Sequence, residues 1–439
     1  MAVTRPPAPP TPAAPSGDEI PIASARGAGV LILCMSVLFL HLIDRQIMAI
    51  LAEPIKADLG FSDTQIGLLT GLGFSLLYSI LGIPVARLAD RVDRVRIIAI
   101  ATGAWSAMTA VTGLTSSFGA MLVARMGVAA GEAGGIPPMH ALVADLFKPE
   151  ERGRAFSIVQ LGGPLGVLTA FFAGGYLAAA FDWRTVFYVA GGAGVVFALV
   201  IWKLLPEPRR GRPAPDPHAA SFVSAAKTLL SIPAYRQLLA GVAWAGFGLY
   251  ATIIWAPSFL IRSFELPIAQ VGLVLGTAFG LLGAVAVLLA GQISDAAKKR
   301  DPGAHAFVPA VMMIAAAPLA AAGFLSGTLV WAMGLLILPI MMMSAWQAPS
   351  IAAVQDTATP RTRALAAALV MFTLNLLGLG LGPLVVGILS DVLNPAFGQE
   401  SLRYALLTVP VSFVLAGVHW IIAARGLRAR ARELEESAP

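Results

Sequence analysis

Twelve times along the chain, a run of about 20 mostly apolar residues recurs, and that is the length a helix needs to cross the hydrocarbon core of a bilayer. The runs fall near residues 28–51, 64–88, 96–116, 119–142, 154–180 and 184–205, and again near 236–261, 268–294, 305–325, 328–354, 362–390 and 401–425. Lipid as the solvent also accounts for the composition. Apolar residues make up 57% of the chain and charged residues 12%, about half the charged share of an ordinary soluble domain, which is ~25%. An all-α membrane protein with 12 transmembrane helices is therefore expected. The first run is longer than the ~7–15 apolar residues of a signal peptide and lacks a cleavage site, so it is expected to stay in the mature protein.

Polar stretches divide the chain. Residues 1–27 are rich in Pro and Ala and are expected to be a disordered cytoplasmic tail. Residues 28–205 and 236–425 form two six-helix halves. They are joined by a cytoplasmic linker at 206–235, which carries Pro206, Pro208, Arg209, Arg210, Arg212 and Pro213. Residues 426–439 are expected to be a cytoplasmic tail. Of the 30 Lys and Arg residues, only Arg45 and Arg125 fall deep inside a run. Lys56, Arg184, Arg262 and Arg403 lie on one side, and all the others lie on the opposite side with both termini. Basic residues accumulate in the cytoplasm, so both termini are expected there. A net charge of +6 distributed in this way needs no nucleic-acid partner.

The two halves repeat each other. Val85-Ala86-Arg87-Leu88-Ala89-Asp90 closes the second run and Ala290-Gly291-Gln292-Ile293-Ser294-Asp295 closes the eighth, and basic residues follow each. Pro149-Glu150-Glu151-Arg152-Gly153-Arg154-Ala155 precedes the fifth run, as Pro360-Arg361-Thr362-Arg363-Ala364 precedes the eleventh. Two parallel six-helix repeats suit a transporter whose substrate site lies between them. No phosphate-binding Gly-x-x-x-x-Gly-Lys loop is present, no His/Cys cluster marks a metal, and the single Cys34 excludes an intrachain disulfide. No cofactor and no enzymatic activity are expected.

These residues resemble the major facilitator superfamily. Asp90, Arg91, Arg94 and Arg96 match its loop motif after the second helix, while Ala86, Asp93 and Val95 depart from it. Asp182-Trp183-Arg184 is typical of the superfamily, and Gly162-Gly163-Pro164-Leu165-Gly166 partly resembles its antiport motif. Within it the chain resembles bacterial Spinster-like transporters, through Leu42-Ile43-Asp44-Arg45, Ser62-Asp63-Thr64-Gln65-Ile66-Gly67, Arg125 with Gly131-Glu132-Ala133, and Asp145-Leu146-Phe147. Asn375, Gly382-Pro383 and Ser390-Asp391 add to the likeness. The resemblance implies a monomer in a bacterial inner membrane that carries a lysophospholipid or sphingolipid. It also implies a gate at the cytoplasmic side, formed by Asp90 at the start of the eleventh helix, with Arg91 and Arg94, and, in the repeated half, by Asp295 at the start of the fifth.

The candidate chemistry is confined to the first half. A charge at a helix centre costs at least ~2.5–3.5 kcal/mol, so Asp44, Arg45, Arg125 and Glu132 must face a cavity or one another. At a rise of 1.5 Å per residue, Asp44 lies about 24 Å above the cytoplasmic end and Arg125 about 21 Å. Glu132 is seven residues from Arg125, on the same helical face and about 10 Å deeper. These heights are compatible with pairing of Asp44 with Arg125 and of Arg45 with Glu132, and the sequence leaves the partners open. Asp44 and Glu132 are candidate proton carriers, because burial favours the protonated carboxyl and a nearby arginine the ionised one. Arg45, Arg125 and His41 are candidates for ion pairing, proton relay or an anionic headgroup. Tyr250, Trp255, Met342, Trp346, Phe372 and Asn375 are expected to line an apolar cavity wall in the second half. The alternatives are an uncoupled facilitator, a multidrug exporter, or a membrane sensor that transports nothing.

Overall fold

The computed structural model describes residues 20–89, 92–208, 222–359 and 362–436, and among them it is helical with no strand. Ten stretches are long and apolar enough to cross a membrane. One of these, Leu365–Glu433, is interrupted between Phe397 and Thr408 and holds two passes. A broken helix formed by Phe118–Glu132 and Ile136–Leu146 adds another. This order is consistent with the twelve passes expected from the sequence.

The passes are α1 (Ala25–Ile50), α2 (63–89), α3 (Arg94–Leu114), α4 (118–146), α5 (Arg152–Ala180) and α6 (Trp183–Leu204) in the first half. The second half holds α7 (Pro233–Phe264), α8 (Ile268–Lys298), α9 (Ala304–Leu325), α10 (Leu329–Thr357), α11 (363–397) and α12 (Thr408–Glu436). Short polar side chains start the helices of the first half. Ser62 and Gln65 form a reciprocal capping box at α2, and Asp93 and Asp182 accept backbone N–H groups of Arg96 (2.9 Å) and Thr185 (2.7 Å) at α3 and α6. Each such side chain satisfies N–H groups that the helix itself leaves unpaired.

Three boundaries differ from the sequence reading. Residues 1–19 of the expected tail lie outside the described residues. Ile20 and Ile22, however, are buried, and Ile20 N–H donates to Leu146 O at 2.8 Å, so this end of the tail is packed on α4. The expected linker holds a helix, Phe222–Ser231, whose Leu229 is buried; residues 209–221 lie outside the described set. The expected C-terminal tail continues α12 as far as Glu436, because its Ala, Arg, Leu and Glu residues favour helix and Leu427 is buried.

The halves meet along two glycine-lined seams. A Cβ on Gly67 of α2 would sit 2.6 Å from Pro383 O of α11, and one on Gly272 of α8 would sit 2.2 Å from Phe171 O of α5. Only hydrogen fits at such distances, as is usual where membrane helices pack backbone to backbone. The four seam helices are all irregular about a third of the way along. α2 breaks at Gly71 and α5 at Leu161, whereas α8 and α11 contain π-helical turns at Gly276–Leu282 and Leu374–Leu379.

Candidate functional site: a buried ionic cluster and ion pairs between the halves

The buried charges of α1 and α4 converge. Asp44, Arg125, Glu132 and His41 are each 4% exposed or less. Arg45 Nε donates to Glu132 Oε2 at 3.0 Å, and His41 Nδ1 lies 3.2 Å from the same oxygen. The guanidinium lies over the Tyr78 ring at 4.5 Å and the Phe74 ring at 5.2 Å, and it faces Tyr250 of α7. Its Nη1 reaches Asn375 Oδ1 of α11 at 3.5 Å. Arg45 thus joins the first half to the second. Gly131 permits the close approach behind it, since a Cβ there would lie 2.7 Å from Trp105 N.

Asp44 does not meet Arg125 through its carboxylate. Its carboxylate accepts from the Thr109 hydroxyl of α3 at 2.8 Å, while Arg125 donates to the Asp44 backbone oxygen at 3.4 Å. Arg125 Cζ lies 5.3 Å from the Phe74 ring centroid. A wide guanidinium stacked on a ring reaches the nearer carbonyl, and a compact hydroxyl takes the carboxylate. Among the described residues, Glu132 Oε1, Arg45 Nη2 and Arg125 Nε have no hydrogen-bond partner. Thr109, Tyr78 and Phe74 were missed in the sequence because nothing distinguishes them from other neutral helix residues.

The expected cavity wall is partly corrected. Trp255 is fully buried and donates to Pro383 O at 2.9 Å, and Trp346 is buried against Trp420 at 5.4 Å between ring centroids. Both are packing residues. Their flat rings fill the core between second-half helices, where they contribute more than on a wet surface. Met342 is half-buried against the same core, and Phe372 is exposed on α11. Tyr250 and Asn375 stand at Arg45.

Of the expected gate residues, Asp90 and Arg91 lie outside the described residues. Arg94 pairs with Asp145 at the end of α4, inside its own half. Asp295 meets His305 of α9 at 3.3 Å rather than the start of α5. An ion-pair cluster between the halves, unforeseen in the sequence, stands at the opposite end. Arg262 of α7 donates to Glu53 at 2.7 Å and to both Asp63 oxygens at 2.6 and 2.8 Å, and Lys56 also pairs with Asp63. Asp391 of α11 accepts the backbone N–H groups of Asp63 and Thr64 at 3.0 and 2.7 Å, where a helix N-terminus favours negative charge. Nearby, the Arg184 hydrogen bond and that of the Trp183 indole hold Asp58 below the usual carboxylate range. Among the described residues, ion pairs join the halves only at this end, away from the termini.

The sequence pattern of the Major Facilitator Superfamily matches residues 34–383. The chain belongs to the Major Facilitator Superfamily. An MFS-type efflux pump of Mycolicibacterium smegmatis is 33% identical, over 88% of this chain and 90% of its own. Protein spinster homolog 1 of Xenopus tropicalis is 28% identical, over 90% of this chain and 80% of its own. A bacterial homolog of the human lysosomal transporter Spinster, solved inward-facing and unoccupied, superposes with a TM-score of 0.79 at 27% identity. It covers 93% of this chain and 98% of its own. This member of the superfamily is thus a Spinster-like, multi-pass membrane transporter of a small molecule.

Proposed function

We propose that this transporter moves an amphipathic, lipid-like molecule of the lysophospholipid or sphingolipid class by alternating access, coupled to protons through Glu132 and Asp44. The observation that carries the reading is the shared Glu132 oxygen, which accepts from Arg45 while Arg45 itself reaches Asn375 in the other half. With both acids ionised and His41 neutral, the formal charges of Asp44, Glu132, Arg45 and Arg125 cancel. Protonating Glu132 leaves the cluster with one net positive charge and frees an Arg45 hydrogen bond. An anionic headgroup can then take the guanidinium, which suits paired oxygens. Phe372 and Met342 offer apolar surface for a tail. Both termini and the basic residues other than Arg45, Arg125, Lys56, Arg184, Arg262 and Arg403 face the cytoplasm in this reading, and the membrane is a bacterial inner membrane.

The test is transport of a labelled lysophospholipid in proteoliposomes under an imposed pH gradient. Wild-type flux should follow the gradient, and Glu132→Gln and Asp44→Asn should each lose that response. Flux that still follows the gradient in both variants overturns the coupling. A second reading is a broad exporter, favoured by the efflux-pump relative. It predicts that structurally unrelated amphipathic drugs compete with the lysophospholipid, whereas the lipid reading predicts competition by lipids alone.

A further inference from the structure

In the first turn of α3, Arg94 pairs with Asp145, the penultimate residue of α4. The second half repeats this placement with one change of chemistry. His305 lies in the first turn of α9 and Asp356 is the penultimate residue of α10. Each lies 211 residues after its counterpart, the same spacing that relates Pro149 to Pro360 in the loops beyond. His305 Nδ1 lies 2.9 Å from Asp356 Oδ2. Burial matches too: the side chains are 8% and 28% exposed for Arg94 and Asp145, and 11% and 29% for His305 and Asp356. The same clasp is built once with a permanent cation and once with an imidazole.

The surroundings of His305 define what its charge does. From α8, Asp295 Oδ1 lies 3.3 Å from Nε2, and Lys298 holds Asp356 Oδ2 at 2.5 Å. In the preceding loop, Asp301 is held by Arg428 of α12 at 2.8 and 2.6 Å. The ring therefore has a carboxylate at each nitrogen. A charged imidazolium donates to both, but a neutral ring has one N–H and turns a lone pair toward the other carboxylate. Asp295 is 78% exposed, so the proton exchanges with solvent on that side.

We propose that His305 is a proton-operated clasp: protonated, it ties α9 to both α8 and α10; deprotonated, it releases one of them. Lys298 keeps α8 and α10 together in either state, so the element loosened is the start of α9, which then keeps one tie instead of two. The corresponding end of the first half stays locked by Arg94 at every physiological pH. This proton site is separate from Asp44 and Glu132 and stands whether or not those acids couple transport.

The test is a pair of double-mutant cycles on the full-length protein in detergent, read as apparent Tm at pH 6 and pH 8. His305→Ala and Asp356→Asn should be non-additive by roughly 2 °C or more at pH 6 and markedly less so at pH 8, where any N–H left on Asp356 comes from a neutral donor. Arg94→Ala and Asp145→Asn should be equally non-additive at both. Equal coupling of His305 and Asp356 at the two pH values, or none at pH 6, overturns the proposal. Where an alanine variant fails to fold, His305→Arg serves instead. It should make the penalty of Asp356→Asn independent of pH, and a penalty that still varies with pH refutes the clasp.

Discussion

Arg45 makes four contacts with one guanidinium: a charged hydrogen bond to Glu132, faces against Tyr78 and Phe74, and a reach to Asn375. A lysine keeps the charge but has no planar fork to hold these partners together. Charged hydrogen bonds contribute about 1.5–3 kcal/mol each, so Arg45→Lys should slow initial transport roughly tenfold or more. Glu132→Gln measured alongside shows whether the loss comes from the same contact. A lysine variant at wild-type rate would mean that positive charge alone suffices. The acids and arginines of this cluster were legible in the sequence because a charge in a membrane helix is costly and therefore conspicuous. Their neutral neighbours were not. Thr109, not Arg125, holds the Asp44 carboxylate, and no local pattern marks one threonine in α3 above another. Trp255 and Trp346 were misplaced for the opposite reason: a large ring suits a cavity wall and a packed core equally well in sequence.

At the scale of helices, the apolar runs revealed the elements, while their caps and the irregularities within them stayed hidden. Ser62 with Gln65, and Asp182, cap helix starts through local side-chain hydrogen bonds. The π turns of α8 and α11 depend on what packs beside them, and Gly276 and Leu374 carry no sign of them. Such turns are frequent at functional positions, and here they occur in the two second-half helices that form the seams. The seams themselves give a testable distinction between glycines. Gly272→Ala places a methyl 2.2 Å from Phe171 O of α5, whereas Gly291→Ala in the same helix meets nothing within 4 Å. Overpacking costs about 1–3 kcal/mol, so Gly272→Ala should lower the apparent Tm and Gly291→Ala should leave it unchanged or slightly raised. Equal effects of the two would mean that the α5–α8 seam yields without cost.

Across the whole molecule, the four basic residues that broke the charge asymmetry turn out to share a feature. Lys56 pairs with Asp63, Arg184 with Asp58, Arg262 with Glu53 and Asp63, and Arg403 with Glu400. The cations on this side are engaged in ion pairs, and those of Arg262 join the two halves. Asp63 is only 2% exposed, and removing one partner of a buried pair is typically strongly destabilising, by about 3–5 kcal/mol. Lys56 remains to neutralise Asp63, so the cost of Arg262→Ala falls below that range and is borne by the closed arrangement of the two halves. Each 1.4 kcal/mol changes a two-state ratio about tenfold, so the variant should populate states in which this end is open. Spin labels at the exposed Ala57 and Ala396, one in each half, with Cys34 replaced by Ala, would report the change. Arg262→Ala should add a longer-distance population that is absent or minor in the wild type, and Arg262→Lys should add less. Identical distance distributions in all three would mean that the glycine seams alone close this end, with the ion pairs following the closure without driving it.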